Sequence, residues 1–211
     1  MKVLITGGTG GIGRSIVDMF EDNNHMVYSP TRSELNLLDT IKLQETDFDI
    51  IVNCAGINPI KSILDINNND VMQINYLAPF TIIQQCLPHM IKNQYGRIIN
   101  IGSIWIDMAK PGRSVYSASK SALHSLTKSL TAEYAKYNIL TNTVSPGYIK
   151  TDLTYKNNSV NELNLIKSKI PIGRLGNPIE VAKLVYQLTI DNTLITGQNI
   201  NIDGGFLCAI V

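Results

Sequence analysis

The chain predicts a single α/β domain, residues 1–211, built on a doubly wound parallel sheet. Three observations carry this expectation. Short apolar runs alternate with stretches of helical spacing along the whole chain. The first run, Lys2-Val-Leu-Ile-Thr6, passes at once into a turn with five glycines in seven residues, Gly7 to Gly13, and then into a helix. The apolar runs at 49–53, 97–101 and 139–145 end in small or polar residues, where open parallel sheets carry their ligands.

With 211 residues, 44% hydrophobic and 17% charged, the chain is long enough for a large core. A net charge of +1 offers no electrostatic basis for binding nucleic acid or an anionic membrane, so neither partner is expected. Cys54, Cys86 and Cys208 lack metal-ligand spacing and read as reduced thiols, which fits a cytoplasmic protein without a metal centre. No apolar run approaches the ~18 residues of a membrane span, and the N-terminus enters a strand directly, with no apolar stretch of the length expected of a signal peptide.

Taken in order, the first strand and the helix from Arg14 to Asp22 flank the glycine turn. Glycines let backbone N–H groups approach a pyrophosphate, whose charge the helix N-terminus favours. Gly7, Thr9, Gly11, Ile12 and Gly13 are therefore the expected dinucleotide cradle of a Rossmann-type fold. The second strand, Met26-Val-Tyr28, ends in Ser29-Pro-Thr31-Arg32-Ser33, without an acid until Glu34. An arginine there suits a 2′-phosphate and a carboxylate suits a free ribose hydroxyl, so NADP(H) is expected ahead of NAD(H), with Thr31 and Arg32 as contacts. A brief helix is expected at Thr40–Glu45, then a strand ending in Asn53-Cys-Ala55-Gly56. Asn67–Asp70 reads as a cap for a helix over Val71–Lys92, which Pro79 and Pro88 are expected to kink or divide.

The strand from Arg97 delivers Ser103 to its carboxyl end. In the next helix, Ser114 to Lys136, Tyr116 and Lys120 stand four apart and share a face. A nearby ammonium is expected to lower the tyrosine pKa and fit it for proton transfer near neutral pH. A strand at 139–145 closes in Pro146-Gly147. Residues 148–172 read as a long polar loop suited to a lid, followed by a helix at 178–189 and a last strand at 199–203. Trp105, Ile106, Met108 and Tyr148 read either as a partly apolar pocket or as core or subunit contacts.

With these residues laid out, the chain resembles the short-chain dehydrogenase/reductase family over nearly its whole length. The resemblance rests on Thr6-Gly-x-x-x-Gly11-x-Gly13, Asn53-x-Ala55-Gly56, Asn75, Ser103, Tyr116-x-x-x-Lys120, Pro146-Gly147, Arg174-Leu-Gly-x-Pro178 and Gly197 to Gly205. Gly96 to Ser103, and the spacing of 13 between Ser103 and Tyr116, look like the 3-oxoacyl-carrier-protein reductase-like members. It implies an NADPH-dependent oxidoreductase that interconverts a small-molecule carbonyl and a secondary alcohol. Tyr116 would be the general acid/base, Ser103 would hold the carbonyl oxygen, and Lys120 would bind the ribose and keep the tyrosine acidic. Asn75 would hold a water linking the lysine to solvent. The resemblance also implies cofactor contacts from Asn36 and Leu37 at the adenine, from Asn53, Ala55 and Gly56, and from Pro146, Gly147, Ile149 and Thr151. A cofactor-binding scaffold of the same fold is the alternative.

The chain departs from the family's usual length near 250 residues by reducing the link between the second and third strands to Ser29–Asn36. Leu123, Leu126, Leu130, Ile82 and Ile83 are read as a second apolar stripe on two helices. Relatives pair these helices across a two-fold axis, so a homodimer or homotetramer is expected.

Overall fold

A computed structural model describes residues 1–209; the final two, with which the expected domain ends, lie outside the described residues. The sheet has six parallel strands: β1 (Lys2–Thr6), β2 (Met26–Tyr28), β3 (Ile50–Asn53), β4 (Gly96–Ile101), β5 (Ile139–Pro146) and β6 (Asn199–Ile202), in the order β2-β1-β3-β4-β5-β6. Between β1 and β3 the winding reverses, and that switch point opens a crevice at the carboxyl ends of the strands.

Side-chain alternation explains why the strands read as unbroken apolar runs. Val3, Ile5, Ile50, Val52, Ile99 and Ile101 enter one core, against α1 (Gly11–Asp22) and α7 (Pro178–Ile190). Leu4, Ile51 and Ile98 point the other way, against α3 (Ala78–Asn93) and α4 (Ser114–Tyr134). A sheet covered on both faces has no polar side to show.

Several expectations need correction. No helix forms at Thr40–Glu45, and β2 is an edge strand of the sheet. The segment instead lies over α3 and buries Ile41, Leu43 and Phe48. Gln85 holds it: its amide donates to the Ile41 carbonyl (3.0 Å) and accepts from the Leu43 N–H (3.0 Å). Six residues are too few to repay helix nucleation, and the Gln85 amide supplies the partners a helix would have given.

Residues 148–172 are not an open loop but contain α5 (Asp152–Lys156) and α6 (Val160–Lys169). Ser159 and Glu162 form a reciprocal capping box, and Leu163 and Ile166 pack on Ile170 and Leu175 in a small separate core. Its narrow apolar stripe hides among asparagines, whereas the Ser-x-x-Glu cap was readable. The Arg174–Glu180 ion pair (2.7 Å) ties this segment to the start of α7.

The proline-bearing helix is not divided. A short α2 (Asn69–Met72) passes through a π-helical turn at Gln73–Leu77 into α3, which runs past Pro88. The wider turn sits just ahead of Pro79, which has no N–H to offer residue 75.

The apolar stripe proposed for subunit pairing also faces inward. Leu130, Ile82 and Ile83 are buried against the sheet of their own chain, Leu126 is partly buried there, and Leu123 is buried within its own chain. Leu77 and Phe80, at the π turn and the start of α3, are the apolar side chains these two helices leave exposed. The three cysteines are unpaired, and among the described residues no helix is long and apolar enough to cross a membrane.

Candidate functional site

The segments at the carboxyl ends of β1, β2, β3, β4 and β5 converge on a cleft of about 510 Å³. The glycine turn forms its floor. Gly7 takes φ +74°, and a Cβ there would lie 2.7 Å from the Ala55 backbone. A Cβ on Gly11 would meet the Thr151 methyl at 2.8 Å. One on Gly13 would clash with the Gly7 carbonyl oxygen, so helix α1 can begin this close to the turn only with glycine. The arrangement leaves a backbone-lined trough at a helix N-terminus, the shape and polarity that a pyrophosphate requires. The residues present therefore fit a dinucleotide.

Of the cofactor residues expected from sequence, Gly7, Thr9, Gly11, Ile12 and Gly13 line this cleft. So do Ala55, Gly56, Tyr116, Lys120, Pro146, Gly147, Ile149 and Thr151. Arg32, Asn36 and Leu37 line its far end. Two do not reach it. Thr31 is turned to Glu34, whose carboxylate accepts from the Thr31 N–H (2.7 Å) and hydroxyl (2.8 Å). Asn53 is buried beneath the cleft, where its amide donates to Asn100 (2.9 Å) and braces β3 against β4. Ile106 and Met108, with a pocket as one of their two readings, are likewise absent from its lining, whereas Trp105 and Tyr148 form one wall with their rings 6.3 Å apart, edge to face.

Ser103, Tyr116 and Lys120 open on the same cleft. Ser103 follows β4 and starts the 3-10 turn at Ile104–Ile106. Lys120 is buried and donates to the Ile101 carbonyl (2.7 Å), with its ammonium 5.9 Å from the Tyr116 ring centroid. Asn75 lies behind them, fully buried. Its amide accepts from the Ile57 N–H (2.9 Å) and donates to the Ile57 carbonyl and the Ser119 hydroxyl (both 3.0 Å). The Asn75 side chain is thus a clamp that fixes the loop after β3 against α4.

The expected lowering of the tyrosine pKa is not found. Burial raises the Tyr116 pKa above 10; the Ser103 hydroxyl and the Arg113 charge pull it down by less, and Cys54 adds to the rise. Lys120 shares the helix face as expected, but its ammonium is drawn to the strand end. Burial pulls the Lys120 pKa down to about 8. The charged lysine therefore opposes folding below pH 8, and that cost fades as the pH rises from about 8 towards 10.5. The phenol is protonated at neutral pH.

Arg113 was missed. It is the N-cap of α4, three residues before Tyr116, and that closeness in the chain could have flagged it. It lines the cleft, is 5% exposed, and its Nε and Nη1 have no hydrogen-bond partner among the described residues.

Comparison with known proteins agrees with this geometry. Residues 31–207 match the family model described as enoyl-(acyl carrier protein) reductase. The chain is 36% identical to the 3-oxoacyl-[acyl-carrier-protein] reductase FabG of Rickettsia conorii, covering 97% of this chain and 95% of the relative. It is 34% identical to FabG of Haemophilus influenzae, over 96% of each. Among solved structures, a 4-hydroxyisoleucine dehydrogenase mutant complexed with NADH and succinate superimposes with a TM-score of 0.89 at 29% identity, covering 99% of both chains. By sequence, sheet topology and the composition of its cleft, the chain belongs to the short-chain dehydrogenase/reductase family and is an NAD(P)-dependent oxidoreductase of carbonyl and alcohol groups.

Proposed function

We propose that the protein is an NADPH-dependent carbonyl reductase in which Tyr116 is the general acid. The observation that carries this reading is that Ser103, Tyr116 and Lys120 share one cleft with a glycine trough shaped for a dinucleotide. When bound, the nicotinamide supplies hydride to the substrate carbonyl carbon. The Tyr116 hydroxyl gives its proton to the oxygen that becomes negative, and the Ser103 hydroxyl donates a second hydrogen bond to the same oxygen. Lys120 provides the positive charge that stabilises the phenolate left behind. The Asn75 carbonyl has no N–H donor four residues on, because residue 79 is proline. That carbonyl is the proposed seat of a water that returns a proton through Lys120. Trp105 and Tyr148 wall the substrate end.

NADPH is proposed over NADH. Glu34, the first acid after β2 in the chain, is held by Thr31, whereas Arg32 is exposed and lines the cleft. A charge-assisted contact to a phosphate is worth about 1.5–3 kcal/mol, tenfold or more in affinity. Titration of cofactor fluorescence is expected to show NADPH binding at least tenfold tighter than NADH. Arg32→Ala should close most of that gap. Equal binding of the two cofactors by the wild type would overturn the preference. Absorbance loss of NADPH against a panel of ketones, acyl thioesters and sugar ketones tests the activity itself. Cofactor binding without turnover of any panel member would favour a scaffold.

A closed two-fold assembly is also proposed, now on Leu77 and Phe80, exposed at 44% and 40%. Two large apolar side chains on neighbouring turns are better covered than wet. Light scattering is expected to give a mass twice or four times 23.3 kDa. A mass equal to one chain would refute the assembly.

A further inference from the structure

The substrate end of the cleft contains a charge that carbonyl reduction alone does not need. Arg113 is the N-cap residue of α4, three residues before Tyr116, and is nine-tenths buried, with Nε and Nη1 shielded from solvent and unpartnered among the described residues. Its guanidinium lies 6.0 Å from the Trp105 ring centroid. The charged or titratable groups that act on it are the phenols of Tyr116 and Tyr148, both neutral; no carboxylate is among them. Burying a cation without an acceptor is costly, and proteins retain such groups where a ligand completes them. The other cations of the cleft are accounted for. Lys120 is bound to the Ile101 carbonyl, and Arg32 is at the opposite end, beyond the glycine trough.

We propose that Arg113 receives a carboxylate of the substrate, so that the protein reduces short oxo acids and oxidises the matching hydroxy acids. This rests on the reductase reading above. A planar guanidinium pairs with a carboxylate through two parallel hydrogen bonds, which fixes orientation as well as charge. Arg113, the N-cap, and Tyr116, in the first turn of α4, line the same cleft one turn apart. A carbonyl held at Tyr116 and a carboxylate held at Arg113 therefore belong to the same short molecule. Trp105 and Tyr148 flank its carbon chain and exclude water, which strengthens the ion pair. Arg113 is then a specificity-determining residue.

The test compares short 2-oxo and 3-oxo acids with their methyl esters, using NADPH and the intact protein. Wild type is expected to favour the acids by at least tenfold in kcat/KM. In Arg113→Gln that acid-to-ester ratio should fall roughly tenfold to a hundredfold, through KM, with Arg113→Lys recovering part of it. A loss that is merely structural would lower both substrates together and leave the ratio unmoved, and that result overturns the proposal. So does a wild-type enzyme that reduces acid and ester equally well. A second readout is independent of turnover. Trp105 is the sole tryptophan, so its fluorescence reports binding of malonate beside Arg113. Saturable malonate binding in wild type that Arg113→Gln abolishes supports the site; binding that survives in the variant overturns it, as does none in wild type. If no carbonyl compound is reduced, the reductase reading fails while the malonate titration still decides the role of Arg113.

Discussion

Tyr116→Phe is expected to lower turnover by roughly a hundredfold to ten-thousandfold, the usual contribution of general acid–base catalysis, while cofactor binding changes little. The substitution removes one hydroxyl and keeps the ring that packs in the cleft wall. The lysine is anchored on the Ile101 carbonyl, 2.7 Å away, and not on the phenol, so its position does not depend on the group removed. Stopped-flow measurement of NADPH consumption at saturating ketone, with a parallel fluorescence titration of the cofactor, separates the two effects. A variant with half the wild-type rate, where chemistry limits turnover, would remove Tyr116 from the mechanism. The raised tyrosine pKa sets the pH dependence. Reduction needs the protonated phenol, so its rate should hold through neutral pH and fall only in the alkaline range.

Gly13→Ala should have the other large effect, on cofactor binding. The added Cβ would clash with the Gly7 carbonyl oxygen and approach its carbon to 2.7 Å, and both belong to backbone that cannot rotate away. Relief requires α1 to move off the turn, which would widen the trough proposed for the pyrophosphate. An affinity loss of at least a hundredfold is expected, with some fall in melting temperature because α1 packs on β1 through Ile16, Val17 and Phe20. Fluorescence titration at a temperature where circular dichroism shows the variant folded isolates the binding effect. Wild-type affinity in that variant would mean that the cofactor does not lie on this turn.

Much of the fold was legible because a doubly covered parallel sheet writes itself in the chain. Its strands are apolar on both faces, and its ligand loops are small and glycine-rich. The same logic placed Ser103, Tyr116 and Lys120 on one cleft, since a strand's end and a four-residue helical spacing are local properties. What escaped depended on three dimensions. Whether Ile82 and Leu123 face the sheet or a second subunit cannot be read from apolarity alone, since a broad stripe serves either. The Gln85 strap over Ile41–Leu43 joins residues more than forty apart in the chain. Asn53 matched a cofactor motif, yet its side chain alternates into the sheet and braces Asn100 instead. The tyrosine pKa turned on desolvation, which outweighs a neighbouring ammonium once the cleft is formed.

The central claim is tested most directly by reducing a ketone of the panel in ordinary water with NADPH deuterated at the transferred position. Mass spectrometry of the alcohol then locates the label. Direct transfer predicts one deuterium on the carbinol carbon with none exchanged from solvent, and loss of that product in Tyr116→Phe. An alcohol without deuterium on that carbon would contradict the account, and so would full product formation by the phenylalanine variant.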